Sequence, residues 1–324
     1  MHDSRLQQLT QWAQQQFTHA IDILPASNDA SFRRYFRVYH ADKSWIIMDA
    51  PPEKESLTAF IHVAKLLKPL VQVPVILAQD LKLGFLLLSD LGQQSYLNAL
   101  QSLPAESLYP DAIASLITIQ AATKTQQNGL PHYSPALLRQ ELLLFPEWFI
   151  ARHHQQVIPE WLDKIFDVLI DNATAQPQVI VHRDFHSRNL MYMANNNPGI
   201  IDFQDAVIGP ISYDLVSLLR DSYYVLPRQQ LTQFCHHYFE QAKQQKLITQ
   251  AISFATFQRW FDLMGVQRQL KILGIFCRLH YRDGKSHYLH DLKQTLCYLQ
   301  QVTPAYPELK ELTQFLTDHQ WIDE

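Results

Sequence analysis

Three oxygen-bearing side chains, Asp184, Asn189 and Asp202, lie in one short stretch of the chain. Carboxylate and amide oxygens are hard ligands suited to Mg²⁺, which is usually bound by one or two carboxylates together with substrate phosphates. A carboxylate can also accept the proton of an attacking hydroxyl group. Each of these residues, taken singly, is also a common turn former. Taken together, they predict a site that holds a magnesium-bound phosphate next to a hydroxyl group.

The spacing of these residues matches a template for phosphoryl transfer. A His-Arg-Asp tripeptide ends at Asp184, Asn189 follows five residues later, and a further apolar run ends on Asp202. In protein kinases this order supplies the catalytic Asp, a metal-binding Asn and a metal-binding Asp. We therefore predict Asp184 as the catalytic base, and Asn189 and Asp202 as metal ligands. Asp205 either touches a second ion through water or caps the next turn.

Short apolar runs would position these side chains. The runs 179–181, 190–193 and 200–203 favour strands, and the cluster of turn formers at 195–199 joins the last two. Such a unit would gather the three polar side chains at one end. Helical patterns surround this β island, over residues 111–123, 135–156 and 159–173 and over most of the chain after residue 210.

The first part of the chain has the pattern of a small sheet with helices. It favours a helix over residues 5–17, strands over 35–39 and 45–48, a helix over 57–67, and a hairpin of 75–78 with 84–88. We expect an α+β fold with two domains. Residues 1–92 would form an N-terminal lobe that covers the nucleotide, and residues 93–324 a helical lobe with the catalytic loop and the acceptor site.

These motifs resemble the aminoglycoside phosphotransferase superfamily, which has the protein-kinase-like fold with a small antiparallel-sheet lobe and a larger helical lobe. The resemblance is carried by residues 181–190 (VHRDFHSRNL), 201–206 (IDFQDA) and 209–215 (GPISYDL). It implies ATP as the phosphoryl donor and Mg²⁺ as the cofactor. It also implies that Asp214 braces the backbone of the catalytic loop, and we expect a similar bracing role for His182.

Further segments narrow this resemblance to the bacterial anomeric kinases for N-acetylmuramate and N-acetylglucosamine, which act in cell-wall sugar recycling. The segments are residues 29–37, 48–53, 264–279 and 281–285. The implied acceptor is therefore an amino sugar. Two alternatives stay open at this point. One is a phosphotransferase for aminoglycosides or other small molecules, and the other is a catalytically inactive regulator that binds nucleotide.

Two segments of the first lobe are candidates for nucleotide binding. Ser89, Asp90 and Leu91 follow an apolar run where kinase-like folds connect their lobes, so that backbone groups there would bond adenine, although an ordinary turn has the same pattern. The loop 25–34 lies in the place of a glycine-rich phosphate loop but contains no glycine. Ser31 could supply a hydroxyl donor there.

A phosphate-binding lysine is missing from the third strand, because Met48 stands at its position. Arg33 and Arg34 are the candidate replacements, since guanidinium groups form bidentate contacts with phosphate. The alternative is that they are a solvated charge pair on a hairpin.

One predicted helix has a stripe of aromatic and polar residues that could bind a sugar. Glu141, Phe145, Trp148 and Arg152 follow one another at spacings of four, three and four residues, which would place them on one face. Such a stripe is also typical of a core contact. We take Glu141 and Trp148 from it as acceptor-binding candidates.

Two further acceptor candidates come from other segments. His186 lies in the loop that holds the base. Arg268 belongs, with Gln267 and Lys271, to a polar stripe on an otherwise apolar helix. Polar groups on such a helix need a partner, either a ligand or the active-site loops. We assign ligand contact to Arg268 and bracing to Lys271.

The composition excludes several classes of protein. The 324 residues include 27 Lys and Arg against 31 Asp and Glu, a net charge of −4, which argues against nucleic acid or an anionic membrane as a partner. No apolar run approaches the roughly 20 residues of a membrane helix. The three cysteines have no metal-binding or disulfide spacing. The start lacks the pattern of a signal peptide. We expect a cytoplasmic protein with a small-molecule substrate.

Overall fold

The chain forms two compact units in the computed structural model, which describes residues 3–27, 32–124, 129–319 and 321. Unit 1 consists of Met1–Ala99 and Asn189–Asp205, and unit 2 of Leu100–Arg188 and Ala206–Glu324. Unit 1 is built on an antiparallel sheet, whereas unit 2 is mainly helical. The α+β class predicted from the sequence is confirmed, while the predicted boundary between residues 92 and 93 stays a prediction.

Unit 1 is built on a five-stranded antiparallel sheet with the strand order β1-β2-β3-β5-β4. The strands are β1 (Asp22–Ser27), β2 (Arg34–His40), β3 (Lys43–Asp49), β4 (Ile76–Asp80) and β5 (Phe85–Ser89). The sequence pattern predicted four of them but not β1. Pro25 cannot donate to a sheet ladder, so this strand is tolerated at the edge, and its composition does not read as a strand.

Two of the helices described in the N-terminal part of unit 1 were predicted from the sequence. Helix α1 (Ser4–Gln14) packs its buried residues Leu9 and Trp12 against the apolar side chains of β2, β3 and β5. Helix α2 (Leu57–Leu67) begins at Ser56, whose hydroxyl accepts a hydrogen bond from the backbone N–H of Thr58. Such N-cap bonds satisfy a backbone donor that has no partner within the helix. A short helix α3 (Tyr96–Ala99) follows β5.

A glycine is required at position 84, in the turn before β5, because of both its backbone conformation and the atoms that lie next to it. Its φ is +76°, and a Cβ atom there would lie 2.0 Å from the carbonyl oxygen of Ala50. The backbone N–H of Ala50 also donates to the Gly84 carbonyl at 2.9 Å. Only glycine allows this close approach. The hairpin β4-β5 is thereby attached to the end of β3.

The second segment of unit 1 contains the predicted metal ligands. Strands β7 (Leu190–Met191) and β8 (Gly199–Ile200) form an antiparallel pair, with Leu190 opposite Ile200. Single bridges join Gly199 to Gln72 and Met191 to Ser95. Both strands are shorter than the predicted runs 190–193 and 200–203. The run 200–203 cannot continue as a strand through Asp202, whose backbone is left-handed with φ of +64°.

Unit 2 consists of helices around a two-stranded antiparallel sheet. Its helices are α4 (Tyr109–Ala121), α5 (Pro135–Leu142), a π-helix (Phe145–His153), α6 (Leu162–Thr174), α7 (Tyr213–Leu219), α8 (Arg228–Gln244), α9 (Phe254–Asp283), α10 (Leu292–Val302) and α11 (Lys310–Asp318). Short 3₁₀ segments connect several of them. The sheet pairs β6 (Gln178–Val181) with β9 (Val207–Pro210), and β9 was not predicted.

Helix α9 contacts the π-helix, α6, α7 and α10. It begins at Ser253, whose hydroxyl accepts a hydrogen bond from Thr256 N at 3.1 Å, and ends at Gly284. Among the described residues, no helix combines the length and the apolar character needed to cross a membrane.

The prediction of one continuous helix over residues 135–156 is wrong. Helix α5 ends at Leu142, and a π-helix follows from Phe145. The break lies against α9, where a Cβ atom on Gly274 would come within 2.3 Å of the Leu144 backbone. Pro146 also lacks the N–H that would continue a regular α-helix.

Candidate active site

The loop that carries Asp184 is held by a buried carboxylate. Asp214, in the first turn of α7, accepts hydrogen bonds from His182 N at 2.6 Å and from Arg183 N at 3.0 Å. Burial raises the pKa of Asp214 to about 7, although both hydrogen bonds act in the opposite direction. His182 contacts the loop as well, since its Nδ1 accepts a hydrogen bond from Asp184 N at 3.2 Å. Both predicted braces therefore contact the loop backbone.

The turn before Asp184 has a strained backbone. Arg183 has φ of +79°, a conformation that side chains other than glycine rarely adopt. The Asp214 bond to Arg183 N and the ion pair between the Arg183 guanidinium and Glu141 stabilise it. Held strain of this kind is typical of functional loops. The turn determines where the carboxylate of Asp184 lies.

The electrostatics of unit 2 keep Asp184 charged. Burial alone would raise the pKa of Asp184, but the positive charges of Lys271 and Arg268 help to hold it below the usual value. A charged carboxylate can accept a proton. The loop therefore presents an ionised carboxylate at neutral pH.

Glu141 lies at the centre of a buried polar network. Its carboxylate forms ion pairs with Arg183 and, at 3.0 Å, with Lys271, and it accepts a hydrogen bond from the hydroxyl of Tyr133. Lys271 Nζ also donates to the Tyr213 hydroxyl at 3.1 Å. Burial alone would raise the pKa of Glu141, but the positive charges of Lys271 and Arg183 lower it. The carboxylate that the sequence suggested for the acceptor is thus engaged by the protein itself.

The predicted common face of Glu141, Trp148 and Arg152 is not present. Glu141 lies in α5, whereas the other two lie in the π-helix, whose i→i+5 bonding changes the number of residues per turn. Trp148 is half-buried, and the Arg152 guanidinium lies 5.4 Å from the ring centre of Tyr281. The spacing argument failed because it assumed a continuous α-helix.

His186 lies in the loop with one ring nitrogen that has no partner. Its ring packs edge-on against Tyr223, with ring centres 5.4 Å apart, and within the described residues its buried Nδ1 has no hydrogen-bond partner. Burial lowers its pKa, so the ring is neutral at pH 7. The neighbouring Ser187 is fixed by Asp221, which accepts hydrogen bonds from its backbone N–H and hydroxyl. His186 can therefore hydrogen-bond a neutral polar ligand.

The two predicted metal ligands contact each other in unit 1. Asn189 Nδ2 lies 3.3 Å from Asp202 Oδ2, and Asp202 Oδ1 accepts a hydrogen bond from Gln204 at 2.8 Å. Gln204 also reaches Asp205 at 3.4 Å. An amide and a carboxylate form the donor set that Mg²⁺ takes from proteins. In the described ranges no three His, Cys, Asp or Glu side chains converge as a metal cluster, so phosphate oxygens and water would have to complete the coordination shell.

The structure distinguishes the two candidate arginines of unit 1. Arg34 forms ion pairs with Asp3 and, at 2.7 Å, with the buried carboxylate of Asp49. Arg33 forms an ion pair with Glu55, and the charges of Asp202 and Asp205 contribute to raising its pKa. Arg33, and not Arg34, therefore lies in the electric field of the proposed metal ligand. Ser31, a further nucleotide candidate, lies outside the described residues.

The side chains of Ser89, Asp90 and Leu91, the remaining candidates for nucleotide binding, contact other parts of the protein or are buried in it. Ser89 Oγ accepts a hydrogen bond from Val75 N at 2.8 Å, and Asp90 pairs with Arg37 at 2.6 Å. Leu91 is buried. Only the backbone of this segment is suited to an adenine edge. Met48 is buried in β3 opposite Leu86, so an apolar side chain stands where the lysine was expected.

The fold and these residues define a phosphotransferase. Residues 22–247 match the phosphotransferase enzyme family, and the chain belongs to this family. Solved structures of the same fold include choline kinase LicA from Streptococcus pneumoniae, with a TM-score of 0.62 and 12% identity over 91% of this chain and 99% of that one. An ADP-bound aminoglycoside phosphotransferase has a TM-score of 0.57 and 14% identity over 92% of this chain and 98% of that one.

Curated relatives are much more similar in sequence. A protein of Pseudomonas putida named N-acetylmuramate/N-acetylglucosamine kinase is 42% identical, with 98% of each chain covered. A protein of the same name from Pseudomonas aeruginosa is 45% identical over 91% of this chain and 88% of its own length. The resemblance identified from the sequence motifs is confirmed.

Sequence reasoning missed most of the polar network that supports the catalytic loop. The Glu141 contacts connect α5, the loop and α9, which are far apart in the sequence. Asp221, which fixes Ser187, was not identified either. The only available signal was the polar stripe on the apolar helix α9, and it pointed to a bracing role for Lys271.

Proposed function

We propose that this protein is an ATP- and Mg²⁺-dependent kinase that phosphorylates the anomeric hydroxyl of N-acetylmuramate or N-acetylglucosamine. The observation that carries the proposal is an ionised Asp184 in a loop braced by Asp214. The substrate class follows from the names of relatives that are 40–45% identical over 91% or more of this chain. The described chain has no membrane-spanning helix, and its three cysteines are unpaired, which suits a cytoplasmic enzyme.

Asp184 would act as the proton acceptor in this reaction. The sugar hydroxyl oxygen forms a bond to the γ-phosphorus, the bond from that phosphorus to the bridging oxygen of ADP breaks, and the hydroxyl proton passes to Asp184. The low pKa of this carboxylate keeps it ready to accept the proton. The buried Asp214 fixes the loop so that no reorganisation is needed during the transfer.

Asn189 and Asp202 would hold the magnesium ion. A bound Mg²⁺ neutralises negative charge on the transferring phosphates. Arg33 would take the place of the missing lysine as the phosphate-binding cation. Its ion pair with Glu55 orients the planar guanidinium group, and the charges of Asp202 and Asp205 act on it. Backbone groups around Ser89, Asp90 and Leu91 would bond the adenine, and Ser31 remains a proposed donor to phosphate.

The acceptor would lie against unit 2, next to Asp184. The neutral His186, the half-buried Trp148 and Arg268 are its proposed contacts. Glu141 is removed from this set, because its carboxylate already pairs with two cations. The positive charges of Lys271 and Arg268, which act on Asp184, argue against a polycationic aminoglycoside, which would need a pocket lined with carboxylates.

A substrate-panel assay tests the proposal. Purified protein is incubated with ATP, Mg²⁺ and a panel of amino sugars, aminoglycosides and amino alcohols, and phosphorus NMR locates the phosphate in each product. We expect a sugar 1-phosphate. Asp184→Asn should lower kcat by at least about a hundredfold while ATP binding measured by calorimetry is largely kept, because the base is lost but the nucleotide contacts are not.

Asp163→Asn is the matched control, since Asp163 is an exposed carboxylate paired with Arg139. It should leave kcat unchanged. Tight ATP binding with no transfer to any member of the panel would contradict the proposal and favour the inactive nucleotide-binding regulator. Transfer to an aminoglycoside alone would support the other alternative.

A further inference from the structure

Arg268 is a buried cation whose charge acts on the carboxylates Asp184 and Asp214. The residue lies in the middle of α9 and is 5% exposed. Its Nη1 atom has no hydrogen-bond partner in the part of the chain that the structure describes. Burying a guanidinium without a partner is costly, so such groups are normally paired. By contrast, the half-buried cations Arg183 and Lys271 both pair with Glu141.

The position of Arg268 places it on the acceptor side of the reaction. It precedes Lys271 by three residues, so both side chains emerge from the same face of α9. Its charge acts on both Asp184 and His186, lowering the pKa of each. It therefore belongs to the group of residues around the base, together with the unpartnered Nδ1 of His186. The acceptor hydroxyl has to reach this same base.

An anionic oxygen group would complete the environment of Arg268. Guanidinium binds carboxylate and phosphate bidentately with charge-assisted hydrogen bonds. Two anions enter the proposed reaction, namely the acceptor's carboxylate and the transferred phosphoryl group. The proposed phosphate-binding groups, Asn189, Asp202 and Arg33, all belong to unit 1, whereas Arg268 belongs to unit 2 with the base. This division favours the acceptor carboxylate.

We propose that Arg268 binds the lactyl carboxylate of N-acetylmuramate and selects this sugar over N-acetylglucosamine. The inference rests on the proposed function. N-acetylmuramate is N-acetylglucosamine with a lactic acid ether, so a single carboxylate distinguishes the acidic substrate from the neutral one. The neutral sugar leaves the buried guanidinium without its anion, which disfavours its binding.

The test compares both sugars with the wild type and with Arg268→Gln, which removes the charge and keeps a polar but shorter side chain. We expect kcat/KM for N-acetylmuramate to fall about 10- to 100-fold more than kcat/KM for N-acetylglucosamine, the range for a lost charge-assisted hydrogen bond. Because Arg268 also acts on Asp184, its loss affects both sugars through the base. The ratio of the two values isolates the carboxylate contact.

Two further measurements, one with a second variant and one with a modified substrate, keep the test informative if Arg268→Gln folds poorly. Arg268→Lys keeps the charge but loses the bidentate fork, and should lower the selectivity ratio by a smaller factor. The methyl ester of N-acetylmuramate needs no variant, and the wild type should phosphorylate it with the low efficiency of N-acetylglucosamine. Arg259→Gln makes the same change at an exposed position of α9 paired with Glu308, and should leave the ratio unchanged.

The outcomes separate this inference from the function on which it rests. An equal loss for both sugars would overturn it and assign Arg268 to the phosphoryl group or to the loop. A methyl ester phosphorylated as well as the free acid would also overturn it. If the wild type phosphorylates neither sugar, the proposed function fails, and the Arg268 assignment fails with it. Phosphorylation of both sugars with unchanged selectivity in Arg268→Gln overturns the Arg268 assignment alone.

Discussion

Two neighbouring arginines in unit 1, Arg33 and Arg34, have different partners. Asp49 is fully buried, and Arg5 and Arg34 neutralise it at 2.6 and 2.7 Å. Arg33 pairs instead with Glu55 and lies in the field of Asp202 and Asp205. The sequence presented the two arginines as equivalent candidates for the missing lysine. Only the partners show that Arg34 stabilises the fold and that Arg33 is the better candidate for phosphate.

Arg33→Ala should therefore weaken ATP binding, whereas Arg34→Ala should lower the stability of the fold. We expect Arg33→Ala to raise the KM for ATP about 10- to 100-fold, because a charge-assisted contact with phosphate is lost. Arg34→Ala should lower the free energy of unfolding by about 1–3 kcal/mol, because Asp49 keeps only one of its two cations, with little change in KM. Steady-state kinetics and urea unfolding measure the two quantities. A raised KM for ATP in Arg34→Ala alone would contradict the assignment.

The spacing of polar residues predicts candidates for the reacting groups and for one brace, Asp214, but not most of the network that supports them. Asp184, Asn189, Asp202 and Asp214 occur at short, characteristic separations, which a single sequence displays directly. The role of Glu141 depends on its contacts with residues that tertiary folding brings to it. No local pattern contains that information.

At the scale of elements, the sequence predicted those whose pattern is periodic or rich in β-branched residues. Helix α2 and the strands β2, β3 and β5 fall close to their predicted ranges. Strand β1 was missed because it contains Pro25. The 135–156 helix was predicted as continuous because the local signal of Pro146 was overlooked and the tertiary contact with Gly274 is invisible in the pattern. These errors are cases in which tertiary packing overrides local propensity.

Helices α5 and α9 are connected to the catalytic loop through Glu141, and this connection can be tested. Glu141→Gln leaves Arg183 and Lys271 without their shared carboxylate, so we expect a loss of about 3–5 kcal/mol in the free energy of unfolding. kcat should also fall, because the strained turn at Arg183 loses its ion pair. Urea unfolding and steady-state kinetics provide the measurements.

A second change should partly rescue this variant. In Glu141→Gln/Lys271→Met one of the two uncompensated cations is removed, so part of the stability should return. Removing Lys271 should also raise the pKa of Asp184 and shift the acidic limb of the kcat–pH profile to higher pH. Glu311→Gln on the exposed side of α11 is the control for the charge change. Strictly additive losses in the double variant would show that the two residues do not interact.

At the scale of the whole molecule, a cluster of aromatic rings should make stability depend on pH. His154 follows the π-helix and stacks on Trp321, with ring centres 4.4 Å apart. Burial, followed by the charges of His153 and His319, lowers the pKa of His154 from 6.5 to about 4. Between these pH values the unfolded chain binds more protons than the folded chain. The contribution of His154 to stability is therefore fully present above pH 6.5 and decreases as the pH falls toward 4.

His154→Phe should reduce this pH dependence, since phenylalanine keeps the stacking but does not titrate. Because the ring is only half-buried, we expect a difference of at most about 1 kcal/mol per pH unit between wild type and variant. Thermal unfolding at a series of pH values between 7 and 4.5 measures it. His237→Phe, at an exposed position of α8, is the control. Parallel curves for wild type and His154→Phe would rule out His154 as the source.

Unit 1 is assembled from two separate stretches of the chain, and this arrangement affects how the protein emerges from the ribosome. The first stretch ends at Ala99, and Gln72 and Ser95 pair with the strands of the second, which begins at Asn189. Roughly 90 residues lie between them, and at about 5–20 residues per second their translation takes roughly 5–20 seconds. During this interval Phe60 has no Phe203 to pack against. Nascent unit 1 therefore keeps an incomplete core until the second stretch has been synthesised.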